Sequence, residues 1–496
     1  MKTHTISLIA LLLSALPVLA QKNEVLQLHP QNPHYFLYQN KPTLLIGSGE
    51  HYGSVINQDF DYKTYLETIG RDGLNLTRLF TGAYIEKQGD FGILKNMLAP
   101  AEGRVLLPWQ RSNIKGFALG GNKFDLAKWD ESYFARLKNF MTNASQNGII
   151  AEINLFSSYY QNGWNYSPFN RKNNVNQTDS IVANEANTLN NGNILSYQEK
   201  YVRKIVRELN NFGNFYFEIQ NEPWADQTDT VLLREEYGDT ADWRSAIQVV
   251  SKKSNDWQRL VARWIKEEEA NLPNKHLISQ NIGNFHYPIT NPDPNISVFN
   301  FHYTLPEAAA ENYYLNKVIG FNETGFAGRS DKTYRRQAWR FIMAGGGLFN
   351  HLDYSFSVGS ENGQDTAYTA PGGGSAVLRK QLSTLKQFFD RLNFIRLKPD
   401  HSAAVASPGA TSQTLSDGRS VWVVYYEPMA AGINKLVLHL PPGSYKAIWT
   451  DVTTGQLLQN SAIKNGQIDV PAGSNDKALV ISSNSVNHSI KNKRNF

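Results

Sequence analysis

The stretch "FYFEIQNEPW", Phe215 to Trp224, is an apolar run that ends on an amide, a carboxylic acid and a proline. A short, near-continuous apolar segment bounded by turn residues is how a strand covered on both faces reads. Pro223 has no N–H to donate and ends the pairing. Seven further runs share this character: "TLLIGS" (43–48), "LNLTRLF" (74–80), "IIAEINLF" (149–156), "HLISQN" (276–281), "SVFNFHY" (297–303), "VIGFNE" (318–323) and "GLFNHLDY" (347–354).

Segments between these runs carry helical spacing. Tyr133, Leu137, Phe140, Met141 and Ala144 share a face, as do Trp257, Leu260, Val261, Trp264 and Ile265, with Ser254 as the expected cap. Ala338, Phe341 and Ile342 give a shorter stripe. Eight strands alternating with helices predict an α/β fold, a (β/α)8 TIM barrel over residues 24–398. A doubly wound sheet is the rival. Its Gly-rich first turn is missing, because "GSGEHYG" (47–53) lacks G-x-G-x-x-G spacing and "AGGGLFN" (344–350) precedes a strand.

The pattern changes at Lys398-Pro399. The runs "SVWVVYY" (420–426), "KLVLHL" (435–440) and "YKAIWTD" (445–451) are punctuated by "PPGS" and "TTGQ", which predicts a small all-β sandwich over 400–484. A polar tail, 485–496, follows. The Asn-rich segment 170–193 follows the third strand and reads equally as disorder or as a cleft wall.

The 496 residues, 41% of them hydrophobic, supply a sizeable core. The net charge of +5 is small for this length, and the closing "IKNKRNF" carries much of it. No basic stripe with interleaved aromatics points to nucleic acid. Lys2, the apolar run Ile6–Leu16 and "VLA" before Gln21 read as a signal peptide over 1–20, so export to the periplasm or the extracellular space is expected. That apolar run is too short to span a bilayer comfortably and no later stretch is long enough, so no membrane association is expected after cleavage. The chain contains no Cys, which removes disulfides, thiol catalysis and Cys-based metal sites together.

On a barrel, Asn221 and Glu222 emerge at the C-terminal end of the fourth strand, where such folds carry their chemistry. Desolvation at that lip predicts a raised pKa for Glu222. Glu323 ends the seventh strand, nearly across the mouth. Two facing carboxyl groups are the constellation of glycoside hydrolysis, one donating a proton and the other attacking the sugar or activating water. Glu218 and Glu152 lie deeper and read as buried structural groups, Glu218 as the partner of an Arg. His51 and His302 lack metal-ligand spacing, so no metal is expected.

With these residues the sequence resembles the clan of retaining glycoside hydrolases on (β/α)8 barrels that includes the cellulase-like, family 5-type enzymes. The resemblance covers most of residues 26–398, including the helix–strand unit "FDLAKWDESYFARLKNFMTNASQNGIIAEINLF" (124–156). It implies that Glu222, preceded by Asn221, is the acid/base and Glu323 the nucleophile, that Arg78 supports the nucleophile, and that His302-Tyr303 contacts the nucleophile or the sugar. Strand eight departs from the clan: "NHLDYSF" (350–356) offers Tyr354 or Phe356 where relatives place a Trp. Glu50-His51-Tyr52 after the first strand is a further departure. Trp224 and the loop aromatics Trp109, Tyr159, Tyr160, Trp164 and Tyr166 are read as sugar platforms or as packing. Substrate contacts are thus expected from Asn221, Arg78, His302, Tyr303, Trp224, His51 and Tyr354. The expected activity is cleavage of β-glycosidic bonds in a poly- or oligosaccharide by a monomer that needs no cofactor. A non-catalytic carbohydrate-binding protein on the same barrel is the alternative; isomerase or lyase chemistry would call for a metal cluster or a strand-end Lys. The triplet at Asn322 is read as incidental, since a glycan there would smother the site.

Overall fold

The computed structural model describes residues 24–234, 242–429, 435–458, 462–473 and 475–483. Residues 1–20, read as a signal peptide, and the tail 485–496 lie outside the described residues. All eight apolar runs form parallel strands: β1 (Leu45–Gly49), β2 (Leu76–Phe80), β3 (Ile150–Ser157), β4 (Phe215–Asn221), β5 (Ile278–Asn284), β6 (Val298–His302), β7 (Val318–Glu323) and β8 (Leu348–Leu352). They pair in chain order, and β8 returns to β1 with Leu348 opposite Leu45 and Leu352 opposite Gly49. The ring is a closed TIM barrel.

Helices α1 (Tyr62–Arg71), α2 (Glu131–Gln146), α3 (Ile194–Leu209), α4 (Lys252–Ala270), α5 (Pro306–Asn312), α6 (Asp331–Met343) and α7 (Ala376–Asp390) surround it. Ser251, not Ser254, caps α4: its side chain accepts from the Ser254 backbone N–H, and Ser254 is buried in the first turn. Ser254 has the right residue type but lies three residues inside the helix. Among the described residues no helix joins β5 to β6, and no helix is long and apolar enough to cross a membrane.

The N-terminal end of the barrel is plugged. Phe36, from a small sheet of Gln27–Leu28, Phe36–Tyr38 and Lys41–Thr43, and Leu26 just before it pack on Leu45, Leu76, Ile150, Tyr216, Val298, Val318 and Leu348. Those are residues at the starts of the strands, so this end is dry and the polar strand ends gather at the other. Two hairpins rise on that polar side: Trp109–Lys115 with Asn122–Trp129 after β2, and Thr228–Leu233 with Ala246–Val250 after β4. The Asn-rich segment is an ordered loop. Asn174 donates from its amide to the carbonyls of Pro168 and Asn170 and to the Thr178 hydroxyl, and Asn187 donates to the Ser157 carbonyl at the end of β3. These amides replace the sheet partners that the loop backbone lacks.

The C-terminal region forms two antiparallel sheets. One pairs Lys398–Pro399, Ala410–Ser416, Val421–Pro428, Lys477–Ser483 and Tyr445–Asp451 in that order. The other pairs Ala404–Ala406, Lys435–Leu438 and Gln467–Asp469. Alternation decides which faces are buried. Trp422, Val424 and Tyr426 face the second sheet, whereas Val423 and Tyr425 join the barrel's own core. Both faces of Val421–Pro428 are therefore covered, which explains its unbroken apolar run. Trp339 on α6 stacks on Tyr425 with centroids 5.4 Å apart. Around this contact Arg335 and Arg336 bind Asp476, at 2.9 and 2.8 Å, and Arg340 holds Glu427 at 2.7 Å.

Truncation after Asp400 exposes Trp339 and leaves these arginines without their carboxylates. The expected result is a melting temperature lower by on the order of 10 °C, or loss of soluble protein. The rate of the surviving barrel on a small soluble glycoside should change little. A truncated barrel that melts like the full chain but no longer binds insoluble polysaccharide would make the sheets a carbohydrate-binding module instead.

Candidate active site

The site lies at the C-terminal ends of the strands. Arg78 on β2 is buried inside the barrel and is the hub of its hydrogen bonds. Nε and Nη2 grip Glu218 of β4 at 2.6 and 2.5 Å, Nη1 reaches Glu323 Oε2 at 2.7 Å, and Nη2 also donates to Asn221 Oδ1 at 2.6 Å. The Tyr52 ring covers the guanidinium at 4.5 Å. A rigid fork of donors suits this three-way grip, which an ammonium could not make. Glu152 lies 3.9 Å away and accepts from Ser279 and Asn300. Burial, followed by the charge of Glu218, pushes the Glu152 carboxyl up to about 8.

Glu323 ends β7. Tyr52 donates to its Oε2 at 2.9 Å and Tyr303 to its Oε1 at 2.8 Å. Both hydroxyls are held well above the ordinary phenol pKa, by burial first and then by nearby carboxylate charge, so they stay protonated donors. Glu222 follows β4 with φ 46° and ψ 54°, a left-handed conformation that turns its carboxyl inward. Its backbone N–H donates to Asn281 Oδ1 at 3.1 Å, and Asn281 in turn donates to Glu218 at 2.7 Å. His302 Nδ1 lies 2.8 Å from Glu222 Oε1, and the Tyr160 hydroxyl donates to Oε2. Tyr52 and Tyr303 also have positive φ, 58° and 49°. Each of these three residues stands just beyond a strand end, where the chain must turn and still aim a side chain at the centre.

The expected upward shift of Glu222 is not what the structure shows. Burial does push its carboxyl up, but the hydrogen bond and positive charge of His302, the Tyr160 hydroxyl and Arg78 outweigh it, and the group lies below the ordinary Glu value. Sequence reasoning saw the apolar lip but not the donors that converge there. A pH test follows. An acid that must be protonated loses activity as pH rises through its pKa. Replacing His302 by Ala removes the largest groups of interactions favouring the charged form, so the pKa of Glu222 rises. The alkaline limb of kcat/KM, measured on a glycoside with a poor leaving group, should move to higher pH while the maximum falls. A limb that stays put or moves down would separate His302 from the titration of Glu222.

The other expected residues take distinct places. Asn221 accepts from Arg78 and donates to Ser157 Oγ and Tyr160 Oη at 3.3 and 3.1 Å. Trp224 is buried, its ring packed edge-on against His302 at 5.2 Å. His51 and Tyr354 are buried; the His51 ring lies 5.5 Å from Tyr52 and 6.4 Å from Tyr354, centroid to centroid. Trp109 is core, packed on Phe169 and Tyr201, and Tyr159 bonds Ser167 at 3.1 Å. Tyr52 and Asn281 were not singled out as carrying specific contacts. A tyrosine three residues past a strand end gives no pattern by which its target can be read.

One oxygen of Glu222, one of Glu323 and a nitrogen of His302 lie within 4.8 Å of one another. Three such groups could surround a cation. Here every carboxylate oxygen already takes a donor, and the Arg78 guanidinium sits against the pair, so a cation would have to displace protein hydrogen bonds and approach a fixed positive charge.

A TIM barrel carrying two close glutamates at the ends of β4 and β7 defines a glycoside hydrolase of the retaining kind. The chain belongs to glycosyl hydrolase family 5: the family's cellulase model matches residues 40–320, more than half of its length, and stops three residues before Glu323. Among solved structures, a family 5 glycoside hydrolase from Bacteroides vulgatus ATCC 8482 superposes with a TM-score of 0.59 at 13% identity, covering 94% of this chain and 95% of its own. A second glycoside hydrolase gives a TM-score of 0.60 at 13% identity, over 94% of this chain and 98% of its own. At such identities the likeness is one of fold. No curated protein sequence matches the chain.

Proposed function

We propose that the protein is exported and cleaves β-glycosidic bonds of a poly- or oligosaccharide by double displacement, with Glu323 as nucleophile and Glu222 as acid/base. The observation that carries this reading is the approach of the two carboxyl groups to within 4.8 Å, oxygen to oxygen, with different donors on each. Direct attack goes with carboxyl groups about 5–5.5 Å apart, whereas an inverting enzyme leaves about 6.5–9.5 Å for a water.

In the first step Glu222 protonates the leaving oxygen while Glu323 bonds to the sugar carbon. In the second, Glu222 takes a proton from the water that releases the sugar. Arg78, Tyr52 and Tyr303 orient Glu323 and stabilise it again as it departs with its charge restored. Lys2 and the apolar run Ile6–Leu16 support export. The barrel over 24–398 is the catalytic domain, and the sheets of 400–484 are an accessory to it.

A screen of aryl β-glycosides and polysaccharides, followed by NMR of the product anomer in the first minutes, tests this. The β-anomer is expected first, with the α-anomer appearing only by mutarotation. The α-anomer first would indicate inversion and overturn the nucleophile assignment.

A further inference from the structure

Besides Glu222, Glu323 and the two carboxyl groups around Arg78, another carboxyl group is buried among the loops after the strands. Glu86, on the loop after β2, is 3% exposed. Asn96 donates to its Oε2 at 2.5 Å and Tyr84 to its Oε1 at 3.2 Å, and His51 Nε2 lies 3.9 Å from Oε1. A carboxyl group has about four acceptor positions, so these two donors leave it capacity. Two neighbouring polar atoms are buried with no hydrogen-bond partner among the described residues: Nδ1 of His51 and the hydroxyl of Tyr354. Tyr354 is 5% exposed, and its ring stands 6.4 Å from that of His51, centroid to centroid. An acceptor with spare lone pairs beside two unsatisfied polar atoms, at the edge of a sugar site, matches the mixed donors and acceptors of sugar hydroxyls.

The surrounding chain closes this side of the site. In the ring β1 lies between β2 and β8. The loops that follow β2 and β8 are joined above it: Leu94 N–H donates to the Thr369 carbonyl at 3.1 Å, and Lys95 pairs with Asp365. Glu86 lies on the first of these loops, Tyr354 on the second, and His51 on the loop after β1 between them. Chemistry sets the direction of the substrate. The sugar that becomes bonded to Glu323 is the one on the non-reducing side of the cut, and the departing part leaves past Glu222, on β4. The joined loops therefore lie at the non-reducing end.

We propose that Glu86, with His51 and Tyr354, forms a terminal-sugar subsite that binds hydroxyls of the non-reducing end, so that the enzyme cuts from chain ends rather than internally. This rests on the assignment of Glu222 and Glu323 given above. Burial pushes the Glu86 carboxyl up to about 8, which lets it donate as well as accept near neutral pH.

The test uses the full chain and a five-sugar oligosaccharide of the configuration that the screen finds turned over, labelled at its reducing end. One form has a free non-reducing terminus and the other a 4,6-O-benzylidene cap there. Stepwise shortening of the free form, and a cap that slows cleavage about 100-fold or more, are expected. Glu86→Gln should raise KM on the corresponding aryl monoglycoside roughly 10–100-fold with a smaller change in kcat, and should narrow the preference between sugars that differ at one hydroxyl. Internal cuts indifferent to the cap would overturn the terminal subsite and leave the hydrolase reading intact. The wild-type product pattern decides this even where the variant fails to fold. An unchanged KM in a folded Glu86→Gln would remove Glu86 from the subsite. No turnover of any glycoside by the wild type would overturn the hydrolase reading, and this inference with it.

Discussion

Glu323→Ala is expected to lower turnover of an aryl glycoside by a factor on the order of 10⁵–10⁶, the scale seen when a nucleophile is removed, while the protein still folds. Glu222→Ala should cost less, about 10²–10⁴, and the loss should depend on the leaving group. An activated phenol departs with little protonation, so this variant should still form the glycosyl-enzyme and accumulate it. Azide, a small anion that needs no general base, should then enter the space left by the Glu222 side chain and release a β-glycosyl azide. No azide product is expected from Glu323→Ala with retained configuration, because that variant forms no intermediate. If both variants turn over at ordinary rates, the two residues are not the machinery. If azide rescues Glu323→Ala to the β-product instead, the roles are reversed.

Arg78→Met is expected to be the most destabilising single change in the site. It leaves Glu218 buried without its bidentate partner and removes the cation between Glu218 and Glu323. Removing one member of a buried ion pair costs about 3–5 kcal/mol, and activity should fall with the loss of orientation at Glu323. A second change separates these effects. Glu218→Gln in the same chain removes the stranded charge, so the double variant should regain much of the stability in urea unfolding while remaining inactive. A double variant no more stable than Arg78→Met would mean that the stranded charge of Glu218 is not the source of the loss.

The strands were legible because each is buried on both faces and so carries an unbroken apolar run. "VIGFNE" coincides with β7, residue for residue, since the segment is buried along its whole length and has no exposed surface to blur it. The hairpins after β2 and β4 left no such mark. Thr228–Leu233 is mostly exposed, and its pairing with Ala246–Val250 rests on backbone bonds that ask little of the side chains. The positions of Glu222, Glu323, Arg78 and His302 could be read because a strand end fixes where a residue emerges. What converges on them could not. Tyr52 and Tyr160 reach the carboxylates from loops, and only the folded path of those loops reveals the contact. The lowered pKa of Glu222 was missed for the same reason: burial can be inferred from an apolar run, whereas donors arriving from the loop after β3 and from β6 and β2 cannot.

The left-handed backbone at Tyr52, Glu222 and Tyr303 has a consequence for how this protein can change over generations. A side chain in that conformation costs roughly 1–2 kcal/mol that glycine would not. Selection for heat resistance alone would therefore favour glycine at all three positions, and each such replacement would remove a group from the reacting centre. Lineages kept for growth on the substrate should retain the strained residues and gain robustness elsewhere, for example along the arginine-fastened seam of α6. Lineages freed from that demand should lose these three positions early, and the resulting proteins should be more heat-resistant and inert.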